Sequence, residues 1–166
     1  MDALEPNFRE FREGLVGLAV SHVWRGYGTA LFIEFGELRP SKRTRRNGTP
    51  GNPEGQFGLM IDADWRIERI SSIICGSTSD DAARQPTLEA LAGGEVKGAS
   101  LFGRLPEISI ELTDGIFVVS FTTSEGDPEW ALADRRNPDL QRWLSVRDGN
   151  LRIEVSPIAP EAPMSE

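Results

Sequence analysis

Two Asp-Gly pairs, Asp114-Gly115 and Asp148-Gly149, lie between runs in which apolar and polar residues alternate. Alternation with a period of two marks a half-buried strand, and Asp-Gly favours the two-residue type I′ turn whose twist matches a hairpin. The two signals test one another, because a two-residue loop fixes which residues face each other. Across Asp114-Gly115 it pairs Leu112 with Phe117, Ile110 with Val119 and Ile108 with Phe121, all apolar and on one face, with Ser109 opposite Ser120 on the other. Across Asp148-Gly149 it pairs Val146 with Leu151 and Leu144 with Ile153, and sets Ser145 opposite Arg152. Turn chemistry and alternation agree at both places, which predicts antiparallel sheet.

Elsewhere the pattern adds two short helices and more strands. NFREFREG (residues 7–14) spaces Phe8 and Phe11 three apart and ends on Gly14. Ser79-Asp80-Asp81 opens a second helix with the acidic residues that a helix N-terminus favours; Pro86 restarts it and Gly93-Gly94 stops it. TALFIEF (29–35) places Leu31, Ile33 and Phe35 on one face of a strand, and IERISSIIC (67–75) reads as a weaker strand. SPIAPEAPMSE (156–166) has the composition of a disordered tail.

The elements also repeat. Gly17, Val20 and LFIEF in one stretch correspond to Gly93, Val96 and ISIEL in another, offset by 76 residues at the glycines and 77 at Glu34 and Glu111. Each block follows a helix and precedes another strand and a Trp, Trp65 in one and Trp130 in the other. The spacing predicts two copies of a helix-plus-hairpin unit, over about 7–75 and 80–155, although two ordinary meanders would give the same pattern. The expected fold is a single α+β domain over residues 1–155. It is mainly antiparallel, sandwich- or roll-like, with two short helices and a two-copy pseudo-repeat.

Residue counts exclude much of the familiar site chemistry. One Cys (Cys75) forms no internal disulfide, and with one His (His22) it cannot assemble the usual zinc sites. The first residues, MDALEPNFREF, have no apolar core of a signal peptide, and no run reaches the roughly 18 apolar residues of a membrane span. A cytoplasmic protein without a cofactor is expected. Its net charge of −8 argues against nucleic acid as a partner, because phosphate rewards positive charge.

That charge is unevenly divided. Where the second copy turns at Asp114-Gly115, the first inserts GELRPSKRTRRNGTPGNPEGQFG (36–58). Arg39, Lys42, Arg43, Arg45 and Arg46 oppose only Glu37 and Glu54, so the insert carries +3 and the remaining chain −11. A structureless loop of this length is either functional or a mobile, solvated segment. As a functional element it is a basic clasp for an acidic protein. Nucleic-acid binding is disfavoured because residues 37–56 contain no aromatic side chain to stack on bases.

Other constellations are weaker. Asp62 and Asp64 flank Ala63; on a strand they would face one way and could share Mg²⁺ or Ca²⁺, with a third ligand from Glu34 or Glu111. Glu34 and Glu111 themselves read as the polar, solvent-facing residues that alternation requires. Cys75 and His22 are the one pair able to form a thiolate–imidazolium nucleophile, but free Cys is commonly buried. Gly26-Tyr27-Gly28 lacks the third glycine and the helix of a dinucleotide site. Trp130 follows an acidic run (Glu125 to Glu129), which marks it as a candidate contact residue.

The string DWRIERISSIICGSTSDD, then LEALAGGEVKGASLFG, the ISIELTDG hairpin and EWAL, is similar to small bacterial proteins of unknown function. Some of those resemble immunity-type proteins that neutralise toxins of neighbouring cells. The similarity spans roughly residues 15–155 and rests on packing motifs, so it assigns no functional residue; the 36–58 insert departs from it. It implies a non-catalytic role and no more. The expected function is a non-enzymatic acidic protein-binding module of immunity or accessory type, whose acidic body masks a basic partner surface. The competing expectation is a ligand- or metal-binding protein or enzyme using Asp62, Asp64 and the glutamates, and an open sheet edge adds homodimerisation as a further one.

Overall fold

Among the described residues eleven strands and two α-helices follow one another in two series, each opened by a helix. The computed structural model describes residues 6–41, 43–62 and 64–157. The first series runs α1 (Pro6–Leu15), β1 (Val20–Arg25), β2 (Leu31–Phe35), β3 (Phe57–Ile61), β4 (Trp65–Glu68) and β5 (Ile73–Gly76). The second runs α2 (Asp81–Ala90), β6 (Val96–Phe102), β7 (Glu107–Leu112), β8 (Ile116–Ser120), β9 (Trp130–Asp134), β10 (Leu140–Arg147) and β11 (Asn150–Pro157). All pairings are antiparallel, in a six-stranded sheet ordered β1-β2-β3-β9-β10-β11 and a five-stranded sheet ordered β5-β4-β8-β7-β6. The α+β class, antiparallel sheet and two short helices expected from the sequence are all present. Among the described residues no helix is long and apolar enough to cross a membrane.

The halves exchange strands. β1–β3 of the first series continue into β9–β11 of the second, while β6–β8 continue into β4 and β5. They meet where the glycine offset of 76 falls. Gly17 N–H donates to Val96 O (2.9 Å) and Gly93 N–H to Val20 O (2.8 Å); Val20 N–H donates to Gly94 O (2.7 Å) and Val96 N–H to Leu18 O (2.8 Å). Shifting either bond of each pair by 76 residues gives the other, and the Ala19–Glu95 bridge between them maps onto itself. Gly17 (φ 94°) and Gly93 (φ 88°) follow the two helices in a conformation that side-chain-bearing residues rarely adopt. Gly17, and not Gly14, therefore ends α1. Gly14 stays inside the helix, where a Cβ would lie 2.7 Å from both Phe57 and Arg136.

One hydrophobic core joins both sheets and both helices, with Phe8, Phe11 and Leu15 of α1 and Leu88 of α2 packed against Leu31, Phe57, Ile67, Val118 and Leu132. Burial of this apolar surface is the main stabilising contribution.

The Asp148-Gly149 hairpin has the expected register, Val146 with Leu151 and Leu144 with Ile153. The Asp114-Gly115 hairpin does not: Leu112 pairs with Ile116 and Ile110 with Val118. Thr113 joins the loop because it bonds sideways to Glu95, N–H to carbonyl at 3.0 Å and Oγ1 from the Glu95 N–H at 3.1 Å. The slip turns Val118 and Ser120 inward and Phe117 and Phe121 outward. Residues 67–75 form parts of two strands, with the chain reversing at Arg69–Ser72, and α2 runs unbroken through Pro86. Ser156 and Pro157, assigned to the tail from sequence, complete β11; residues 158–166 lie outside the described residues.

Candidate functional site

The 36–58 insert is not structureless. Phe57 and Gly58 belong to β3, and the rest folds back on itself as a projecting hairpin. Arg39 and Glu54 exchange backbone hydrogen bonds (2.8 and 2.9 Å); further out Gly51 N–H donates to Arg43 O and Arg45 N–H to Thr49 O, each at 2.8 Å. Gly48 (φ 83°) turns the tip.

Its root is held by a buried ion pair. Alternation turns Glu34 to the face of β2 opposite Leu31, Ile33 and Phe35, yet it is 4% exposed and not solvent-facing. Arg135, just past β9, donates from Nη1 to Glu34 Oε2 at 2.8 Å, and Gly55 N–H donates to the same oxygen at 2.9 Å. Arg135 Nε lies 3.5 Å from Glu54, and its guanidinium sits 5.9 Å from the centre of the Trp143 ring. Gly58 makes room for the pair, since a Cβ there would fall within 3 Å of both Arg135 and Glu34. Burial pushes the Glu34 pKa up, against the pull of Arg135 and the Gly55 amide. His22 Nε2 and Asn52 Oδ1, 3.0 Å apart, tie the hairpin to β1. Glu111, the counterpart of Glu34, is exposed as expected.

Arg39, Arg43, Arg45 and Arg46 are all exposed on this hairpin, and among the described residues none forms an ion pair or a side-chain hydrogen bond. Lys42 lies outside the described residues. Glu54, one of the insert's two carboxylates, is turned to Arg135 and not to these four arginines. The arrangement is a set of unpartnered guanidinium groups on a firmly rooted stalk, suited to a partner's carboxylates.

The other expected sites are not assembled. Trp130 is 2% exposed; its acidic neighbours lie in the loop ahead of β9, while the indole enters the core and donates from Nε1 to Pro106 O at 3.0 Å. It is therefore no contact residue. Trp65 does the same in the first half, donating to Thr29 O at 2.7 Å, and the two carbonyls are 77 residues apart. Asp62 and Asp64 lie in the connection between β3 and β4, not on a strand, so the same-face premise fails. Asp62 is exposed, whereas Asp64 accepts hydrogen bonds from Ser77 (3.3 Å) and Thr123. Among the described residues no three His, Cys, Asp or Glu side chains converge as a metal site. Cys75 is buried, which raises its pKa, and His22 is engaged by Asn52. The two form no dyad.

Sequence reasoning missed a second charged cluster. Arg136 holds buried Asp134 through Nε and Nη2, both at 2.9 Å, while Arg142 grips Glu10 of α1 at 2.7 and 3.0 Å. Their guanidinium groups cover Phe57 and Phe11, which straps α1 to the sheet. The run Asp134-Arg135-Arg136 was its local signal, but its partners come from elsewhere in the chain. Comparison with family models, curated proteins and solved structures finds no match.

Proposed function

We propose that this protein is a non-enzymatic binding module, of accessory or immunity type, that grips an acidic surface of a partner protein with its basic hairpin. The observation that supports it is the set of four exposed arginines, Arg39, Arg43, Arg45 and Arg46, without a carboxylate partner among the described residues, on a body that otherwise carries −11. Opposite fields on hairpin and body orient an approaching partner and raise association rates. In this reading the protein acts in the cytoplasm, needs no cofactor and recognises protein and not nucleic acid.

The test replaces all four arginines with glutamine. Wild-type protein immobilised at low salt should capture an acidic protein from its host, identifiable by mass spectrometry. The quadruple variant should capture it at least tenfold less, and raised salt should reproduce the loss. Equal capture by the variant, or captured material that nuclease removes, would overturn the reading.

A further inference from the structure

The six-stranded sheet has two edges, β1 and β11. The β1 edge is closed: Val20 exchanges hydrogen bonds with Gly93 and Gly94, and Arg25 Nη1 bridges to Asp81 of α2 at 2.8 Å. The β11 edge is open. Asp148 (φ 52°) and Gly149 (φ 78°) form the type I′ turn that joins β10 to β11, which makes Arg147 and Asn150 a hydrogen-bonded pair. Such pairs recur at every second residue, so Arg152, Glu154 and Ser156 bond to β10 through Ser145, Trp143 and Gln141. Leu151, Ile153 and Val155 therefore turn their N–H and C=O outward, where no described element pairs with them. The open stretch ends at Gly149, whose N–H Asp127 takes at 2.9 Å, and at Pro157, which has no N–H.

This stretch is complementary to itself. Let a second copy pair with it antiparallel about a two-fold axis through Ile153. Arg152 of each chain then faces Glu154 of the other, Leu151 faces Val155, and Ile153 faces its own counterpart. The outward main-chain groups satisfy one another, and the charged pairs fall at the positions where side chains approach most closely. Sliding the strands by two residues either way sets Arg152 against Arg152 or Glu154 against Glu154, so charge selects one register. Within one chain these charges are held loosely. Arg152 lies 3.6 Å from Asp148 and Glu154 3.5 Å from Arg147, without a hydrogen bond and with all four side chains more than half exposed. Such surface pairs contribute little and yield to closer partners. α1 packs on the inner face, tied to β10 through Glu10 and Arg142, and leaves Val155 57% exposed.

We infer that a second copy of the chain adds to this edge, β11 against β11, and joins two six-stranded sheets into one continuous sheet. The basic hairpin takes no part in this pairing, so either reading can fail without the other.

Sedimentation equilibrium of the full chain tests it. At about 0.1 mM, where a micromolar pairing is populated, the mass should be twice the 18.3 kDa of one chain. Arg152→Glu alone and Glu154→Arg alone each set like charges face to face and should raise the dimer Kd at least tenfold. Mixed together, these two variants should pair with each other as the wild type does, because every facing pair is again opposite in sign. Both side chains are exposed, so near-ultraviolet circular dichroism should stay unchanged. Val155→Pro removes an outward N–H that β10 does not use, which edge strands tolerate, and should also dissociate the dimer. The inference is overturned by a monomer at this concentration, by a dimer that neither charge reversal weakens, or by reversed variants that do not pair on mixing. A dimer dissociated instead by replacing the four hairpin arginines with glutamine would also overturn it, because the contact is then hairpin against acidic body.

Discussion

Ionised Glu34 is held in place by Arg135 at 2.8 Å and the Gly55 amide at 2.9 Å, and removing the cation leaves a carboxylate in the interior. Breaking such a buried pair from one side costs roughly 3–5 kcal/mol. Arg135→Met should therefore lower the unfolding free energy by about 3 kcal/mol near neutral pH, read from urea titrations. The pH dependence carries a definite sign. Burial raises the Glu34 pKa above its ordinary 4.5, so the folded state binds this proton more tightly than the unfolded chain. The stability linked to this group is complete below the unfolded value and is lost as pH rises through the raised folded one. Without Arg135 the pKa climbs further, so the deficit of Arg135→Met should shrink on acidification, and adding Glu34→Gln should shrink it at neutral pH. A deficit constant with pH would show that Glu34 is not the group left exposed to this penalty. Asp134 acts oppositely. Burial alone would raise its pKa, but the hydrogen bonds from Arg136 and the charge of Arg142 bring it below 3.8, so its contribution is lost as acid protonates it. None of this is local in the sequence. Glu34 and Glu111 have the same alternation, and only a cation 101 residues away separates a buried glutamate from an exposed one. The acidic residues next to Trp130 point it outward, whereas its match to Trp65 in the repeat points it inward, where it lies.

At the level of elements, hairpins were legible as far as their turns stayed local. Asp148-Gly149 kept its two-residue geometry, and Asp127 accepts the N–H groups of Asp148 (3.1 Å) and Gly149 (2.9 Å) without altering the register. At Asp114-Gly115 the sideways bond of Thr113 to Glu95 outweighed turn preference and moved every pair by one. The insert was legible as an anomaly of length and charge but not as a hairpin, because its Pro, Gly and Arg residues lack alternation and its pairing is irregular. Its structure predicts an order of cleavage. Arg39 lies in the Glu54 ladder next to the Arg135 anchor, whereas Arg45 and Arg46 lie at the turn. Brief digestion with a protease of broad specificity, followed by mass spectrometry, should find cuts beside Arg45 and Arg46 before any beside Arg39, because cleavage needs backbone released from its partners. Arg135→Met should bring the cuts beside Arg39 forward. Simultaneous cleavage at all these sites in the wild type would show that the root is not held.

Over the whole molecule, strand exchange makes the halves interdependent. Neither sheet is complete within one half: β3 needs β9, and β8 needs β4. Each half nevertheless spans both sheets through its own tryptophan, Trp65 to Thr29 and Trp130 to Pro106. The paired bonds at Gly17 and Gly93 are related by the same 76-residue offset that separates the two glycines. That offset could not reveal the exchange, because periodicity records what each strand buries and not which strand lies beside it. The topology sets a specific expectation for a chain divided between Ser77 and Ser79, after β5 and before α2. Each fragment alone would expose an inner sheet edge and half of a shared core, an unprotected state prone to association. Neither should show near-ultraviolet circular dichroism from its buried tryptophan, while an equimolar mixture should regain the signal and unfold in a single cooperative step. If one fragment alone gave the native signal and a sharp transition, its half would be an independent domain, and the interlocked arrangement would not govern stability.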